Sequence, residues 1–133
     1  MRGIEPEGWA RPKGYSNGVL AEGRVLHVAG QIGWDPATAR FETADFVEQV
    51  GRALRNVLAV VEAAGGGPEH VARLTWYVTD KREYLARQAE VGAAYRAAMG
   101  RHFPAMTMVV VAGLVEDEAL VEIEATAVLP PEG

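Results

Sequence analysis

The sequence predicts an α+β domain with two helices on one face of a single mixed sheet. Three observations lead there: two segments carry apolar residues at helical spacing, five short runs are β-rich, and glycine or proline marks most junctions between them. Read along the chain, the order is β-β-α-β-α-β-β. At 133 residues and 49% hydrophobic, the chain can bury one core of ordinary density. A single domain over residues 1–133 is expected, with its core at about 14–129 and short loose ends at 1–12 and 130–133.

Gly14 to Leu20 and Val25 to Gly30 are two β-rich runs separated by Ala21-Glu22-Gly23-Arg24, a connection of hairpin length. They read as a hairpin, and Asp35-Pro36 is a turn that stops the second strand. From Thr43, a candidate N-cap, the residues Phe46, Val50, Leu54, Val57, Leu58 and Val61 form one helical stripe. Gly65-Gly66-Gly67 ends that helix, because glycine enters the left-handed cap conformation cheaply.

In Ala72 to Thr79, Leu74, Trp76 and Val78 alternate with Arg73, Thr75 and Tyr77, which is strand period. Asp80 and Glu83 have capping-box spacing, so a second helix starts at Asp80. Tyr84, Leu85, Val91, Tyr95 and Met99 face the core, and Gly100 with Pro104 closes the helix. Strands at about 105–112 and 119–129 complete the order. The first of these is apolar on both sides, with Met106, Met108 and Val110 on one and Val109 and Val111 on the other. Two helices cover one sheet face only, so a doubly apolar strand predicts self-association through the other.

Composition narrows the function classes. The absence of cysteine excludes disulfides and thiolate chemistry, and His27, His70 and His102 lack metal-ligand spacing, so no metal and no cofactor are expected. A dispersed net charge of -5 with no basic run argues against nucleic acid as a partner. No stretch approaches the roughly 20 apolar residues of a membrane span, and the N-terminus has no apolar signal run, so a cytoplasmic protein without membrane partners is expected.

Four segments in this order resemble the RidA family, also called YjgF or L-PSP endoribonuclease-like proteins. They are Gly14-Tyr15-Ser16, Val28-Ala29-Gly30-Gln31-Ile32 with Asp35-Pro36, His102-Phe103-Pro104-Ala105, and Val121-Glu122-Ile123-Glu124-Ala125. The resemblance implies a chorismate-mutase-like fold, a homotrimer packed as a barrel with its sheets inward, and small-molecule clefts between subunits. It also implies enamine or imine deamination, in which Glu122 matches the water-orienting glutamate, Tyr15 the cleft tyrosine, and Gly30 the glycine whose backbone faces the ligand.

At one position the chain departs from the family pattern. The arginine that follows Pro-Ala and holds a small substrate's carboxylate is Met106 here, and the connection from Met106 to Glu122 is one residue longer. A thioether has neither charge nor donor, so losing a charge-assisted hydrogen bond worth roughly 1.5–3 kcal/mol weakens a small acid at least about tenfold. With Met108 beside it, Met106 makes the implied cleft more apolar and suited to a larger or uncharged ligand. Arg73 and Arg101 are alternative anchors if they reach the cleft, and solvated surface residues if they do not. Glu124 reads as structural, Trp76 as core, and Trp34 as either a cleft wall or an exposed turn residue. The competing functions are a diverged deaminase, a non-catalytic trimer binding a metabolite or partner segment, and, last, a ribonuclease.

Overall fold

The computed structural model describes residues 1–132. Its elements are β1 (Arg2–Ile4), β2 (Gly18–Leu20), β3 (Arg24–Ile32), α1 (Phe46–Ala63), β4 (Val71–Val78), α2 (Lys81–Ala86), α3 (Gln88–Met99), β5 (Ala105–Val110) and β6 (Val121–Leu129). The main sheet is four-stranded and mixed, in the order β3-β6-β4-β5. Strands β4 and β5 run parallel because the helical crossover of α2 and α3 joins them, while β6 is antiparallel to both its neighbours. The α+β class and the helix-covered sheet match the expectation from sequence.

The predicted stripe of α1 is buried throughout, and with Leu74, Trp76, Val78, Val121, Ile123 and Leu129 it forms the core. The helix ends in a Schellman motif: Gly65, at φ +91, donates to Glu62 O and Gly66 donates to Val61 O. Strand β6 alternates without a break, so Glu122, Glu124, Thr126 and Val128 all face away from the helices. Among the described residues no helix is long and apolar enough to cross a membrane.

Several local expectations are overturned. The segment Gly14 to Leu20 does not form a hairpin with Val25 to Gly30. Instead β2 pairs with β1, which lies in the supposedly loose N-terminus, and β3 pairs with β6. Local spacing identified the strands but could not choose between an adjacent partner and a distant one. Helix α1 starts two residues later than expected, because Asp45 is the N-cap, accepting from Glu48 N, and Thr43 caps Asp45 instead.

The second predicted helix is two. Asp80 caps α2 by accepting from Arg82 N and Glu83 N, but the helix breaks at Arg87 (φ -127, ψ 30). Glu83 does not complete the capping box because its carboxylate bonds Arg87 at 3.2 Å. The strand expected at 105–112 ends at Val110 and that at 119–129 begins at Val121. Strand β5 is an edge strand in which Met106 and Met108 pack toward the core while Val109 and Val110 are exposed, as a strand apolar on both sides is in a single chain. The open sheet face is polar at its centre and carries exposed apolar residues at both edges, Val109 on β5 and Val25 on β3.

Arg87 holds the break in place, bonding Asp45 at 2.6 Å, Glu83 at 3.2 Å and Glu90 at 2.7 Å and so tying α2 and α3 to the start of α1. Its hydrogen bond keeps Asp45 below the ordinary carboxylate range, and the same holds for Glu90. Carboxylates depressed in the folded state stabilise it fully above their unfolded pKa, near 4, and lose that contribution as pH falls through the folded value. The melting temperature should therefore decline below about pH 5, and Arg87→Met should flatten that decline. An unchanged acid slope in Arg87→Met would contradict this role.

Candidate functional site

The residues singled out by sequence divide between the two faces of the sheet. On the helix side, Tyr15, Met106 and Met108 line a pocket of about 370 Å³ between β4, β5 and the α2–α3 crossover. Strand β5 delivers both methionines because its register pairs Met106 with Leu74 and Met108 with Trp76, both core-facing residues of β4. Tyr15 is held at the β5 edge through its neighbour: Ser16 N donates to Pro104 O at 3.0 Å and Ser16 Oγ donates to Phe103 O at 2.7 Å.

The walls are aromatic. Tyr95 stacks on Phe103 at 5.7 Å between ring centroids, and Trp76 tilts against Tyr95 at 6.4 Å. The Tyr95 hydroxyl donates to His102 O at 2.6 Å, and burial pushes its pKa above the ordinary tyrosine value. Trp76 is 1% exposed, as expected of a core residue, yet its indole Nε1 has no hydrogen-bond partner. Buried polar atoms are nearly always paired, so this donor is an exception within the core.

On the open face, β6 carries Glu122 and Glu124 in register with Tyr77 and Thr75 of β4. The two carboxylates differ. Glu124 accepts a 2.5 Å hydrogen bond from the Tyr77 hydroxyl, and that bond is the main reason the hydroxyl's pKa lies above its ordinary value. Glu122 is half-buried and, among the described residues, takes no side-chain hydrogen bond or ion pair. It lies against Gly30: a Cβ built on that glycine would stand 2.8 Å from Glu122 Cδ. The register between β3 and β6 slips between Val28 and Gln31, so a bulge brings bare backbone up to the carboxylate.

Gly30 and Glu122 are thus brought together, as are Tyr15, Met106 and Met108, but within one chain the sheet separates the two groups. Arg73 lies on the open face, lining a shallow depression with His27, Glu124 and Thr126. Arg101 is exposed. Neither lines the pocket. Trp34 is half-buried against Phe41 at 5.8 Å, its carbonyl accepting from Asn56 at 2.9 Å and Arg52 at 3.2 Å, which makes it a packed turn residue outside the pocket lining. Sequence reasoning missed Lys13, Gln88 and Arg96 as lining residues, and it assigned Tyr84 only to the core stripe. The spacing of Tyr84, Gln88, Val91 and Tyr95 was a usable signal, since Gln88 interrupts that stripe with a polar group.

Comparison with known proteins gives a consistent result. Residues 9–129 match the endoribonuclease L-PSP family. A RutC family protein of Pyrococcus horikoshii is 36% identical, covering 93% of this chain and 94% of its own. A 2-iminobutanoate/2-iminopropanoate deaminase of Capra hircus is 33% identical over 88% of this chain and 81% of its own. Among solved structures, the Rid family protein YyfB of Yersinia pestis superposes with a TM-score of 0.84 at 34% identity, covering 96% and 98% of the two chains. Escherichia coli TdcF, solved with bound serine, gives 0.68 at 30% identity over 97% and 99%.

Proposed function

The chain belongs to the endoribonuclease L-PSP family of RidA/YjgF proteins, and we propose that it hydrolyses a reactive imine or enamine to release ammonia, with Glu122 orienting and deprotonating the water. The observation that carries this reading is the contrast between two neighbouring carboxylates. Glu124 is occupied by Tyr77, whereas Glu122 is unengaged, half-buried and set against the bare backbone of Gly30.

The chemistry asks little of the protein. The water oxygen adds to the imine carbon while its proton passes by way of Glu122 to the nitrogen. The hydroxyl proton of the carbinolamine then passes to that nitrogen, which leaves as ammonia as the carbonyl forms. One water is consumed and nothing is oxidised or reduced. A positioned carboxylate contributes about 10²–10⁴-fold to such a proton transfer.

Because Glu122 and the Met106 pocket lie on opposite faces of one sheet, a complete cleft needs a second copy of the chain. A homotrimer, the assembly implied by the family resemblance, would supply it, and the exposed Val109 and Val110 on the β5 edge suit burial between copies. Light scattering should return three times the 14.3 kDa chain mass, and a monomer that retained activity would contradict the composite cleft. A non-catalytic binding role is the second reading, favoured by the uncharged Met106. The net charge of -5 works against RNA, whose phosphates reward lysine and arginine.

The test is ammonia release from imines generated in situ from alanine, leucine and phenylalanine by an amino-acid oxidase. The reading expects release faster than in buffer and proportional to protein concentration. Release at the buffer rate for all three would leave the binding role.

A further inference from the structure

Two cations line the pocket beside Met106, one from α3 and one from the segment before Tyr15. Lys13 and Arg96 both line it, and among the described residues neither side chain makes an ion pair or hydrogen bond. Arg96 belongs to the last turn of α3, where an unpaired guanidinium would ordinarily extend into water. Here it lies back over the helix: a Cβ built on Gly92 would stand 3.3 Å from Arg96 Nη1. Gly92 itself lines the pocket, so its missing side chain leaves the guanidinium room on the pocket wall.

Three further features describe what those cations would hold. The stacked Tyr95–Phe103 pair presents a flat wall. Met106 and Met108 add apolar surface beside it. A space of about 370 Å³ far exceeds a three- or four-carbon acid and lies within the range of sites for larger ligands.

Taking the pocket as the substrate cleft of the proposed deaminase, we propose that Arg96 and Lys13 replace the cation missing at Met106 and select carboxylic acids with a bulky, planar, apolar body. The acid enters with its ring against Tyr95 and Phe103 and its carboxylate toward Arg96 and Lys13. Relocating the cation in this way moves the preference from small imino acids to aromatic ones, because a planar ring fills the space beside Tyr95 and Phe103 that a three-carbon acid leaves empty.

The test is calorimetric titration of the full chain with phenylpyruvate, with pyruvate, and with phenylacetone, which keeps the ring and lacks the carboxylate. Phenylpyruvate should bind at least about tenfold more tightly than either, as the loss of a charge-assisted hydrogen bond predicts. Arg96→Gln combined with Lys13→Gln should remove that advantage and leave phenylacetone unchanged, and Arg96→Lys should restore part of it. Because both residues are exposed, these variants should fold normally.

Equal binding of pyruvate and phenylpyruvate, or an unaltered double variant, overturns the proposal. If phenylpyruvate binds through Arg96 but the corresponding imine yields no extra ammonia, the deaminase reading fails and the pocket assignment stands. If ammonia release is real yet indifferent to both substitutions, the pocket assignment fails alone.

Discussion

Glu122→Gln should lower imine hydrolysis by about 10²–10⁴-fold, the usual contribution of a positioned general base. The substitution keeps the shape of the side chain and removes its ability to take a proton from water. No partner is orphaned, because Glu122 has no side-chain hydrogen bond among the described residues, so melting temperature and assembly should stay unchanged. Glu124→Gln is the internal control. That residue's bond to Tyr77 at 2.5 Å makes it part of the sheet's polar lattice, so its loss should alter stability more than turnover. Gly30→Val should reproduce much of the Glu122 defect by steric means, since its first carbon would already stand 2.8 Å from Glu122 Cδ. Equal losses in Glu122→Gln and Glu124→Gln would remove the distinction between the two carboxylates.

The largest effect on stability should come from Gln49→Leu. Gln49 is fully buried in α1, and its amide satisfies three backbone groups at once: Nε2 donates to Thr43 O at 3.1 Å and Glu118 O at 3.0 Å, and Oε1 accepts from Leu120 N at 2.8 Å. Leucine matches its size and leaves all three unpaired. With each buried orphan costing roughly 1–3 kcal/mol, and the carbonyls partly able to find water, the total should be about 2–5 kcal/mol. For a chain of this size that lowers the melting temperature by roughly 10 °C. Leu120 precedes β6 directly, so the same bonds fix where that strand begins and hence where Glu122 stands. Activity should therefore fall in Gln49→Leu even at temperatures where the protein remains folded. A melting temperature within about 2 °C of wild type, less than 1 kcal/mol would shift it, would show that the bonds carry no such burden.

Gln49 also illustrates how far the sequence could be read. The apolar stripe from Phe46 to Val61 announced α1 and its buried face, because helical period is a local property. The two polar residues that break that stripe, Gln49 and Asn56, were equally visible, one heptad apart. Asn56 likewise binds carbonyls, of Ile32 and Trp34. Their roles were not legible, since the backbone groups they satisfy arrive from up to 71 positions away. Strand pairing failed for a similar reason: Gly18–Leu20 looks like half of a hairpin with its neighbour, but its partner is Arg2–Ile4, a run too short and polar to stand out. The helix break at Arg87 depends on three carboxylates from different turns and elements meeting one guanidinium.

For the candidate site, the resemblance pointed to Tyr15, Gly30, Met106, Met108 and Glu122. It could not say that the sheet lies between Glu122 and the methionine pocket, which follows from the register of β4, β5 and β6. Nor could it bring Arg96 to the pocket, because that depends on how α3 turns after the break and on the space left by Gly92.

The most direct test of the account measures ammonia release from freshly generated 2-aminoacrylate by wild type, Met106→Arg, Glu122→Gln and the double variant at matched concentrations. The account predicts a slow wild type, a gain of about tenfold or more in Met106→Arg from the restored carboxylate anchor, and loss of that gain when Glu122→Gln is added. A wild type already as fast as Met106→Arg, or a gain that survives without Glu122, would contradict it.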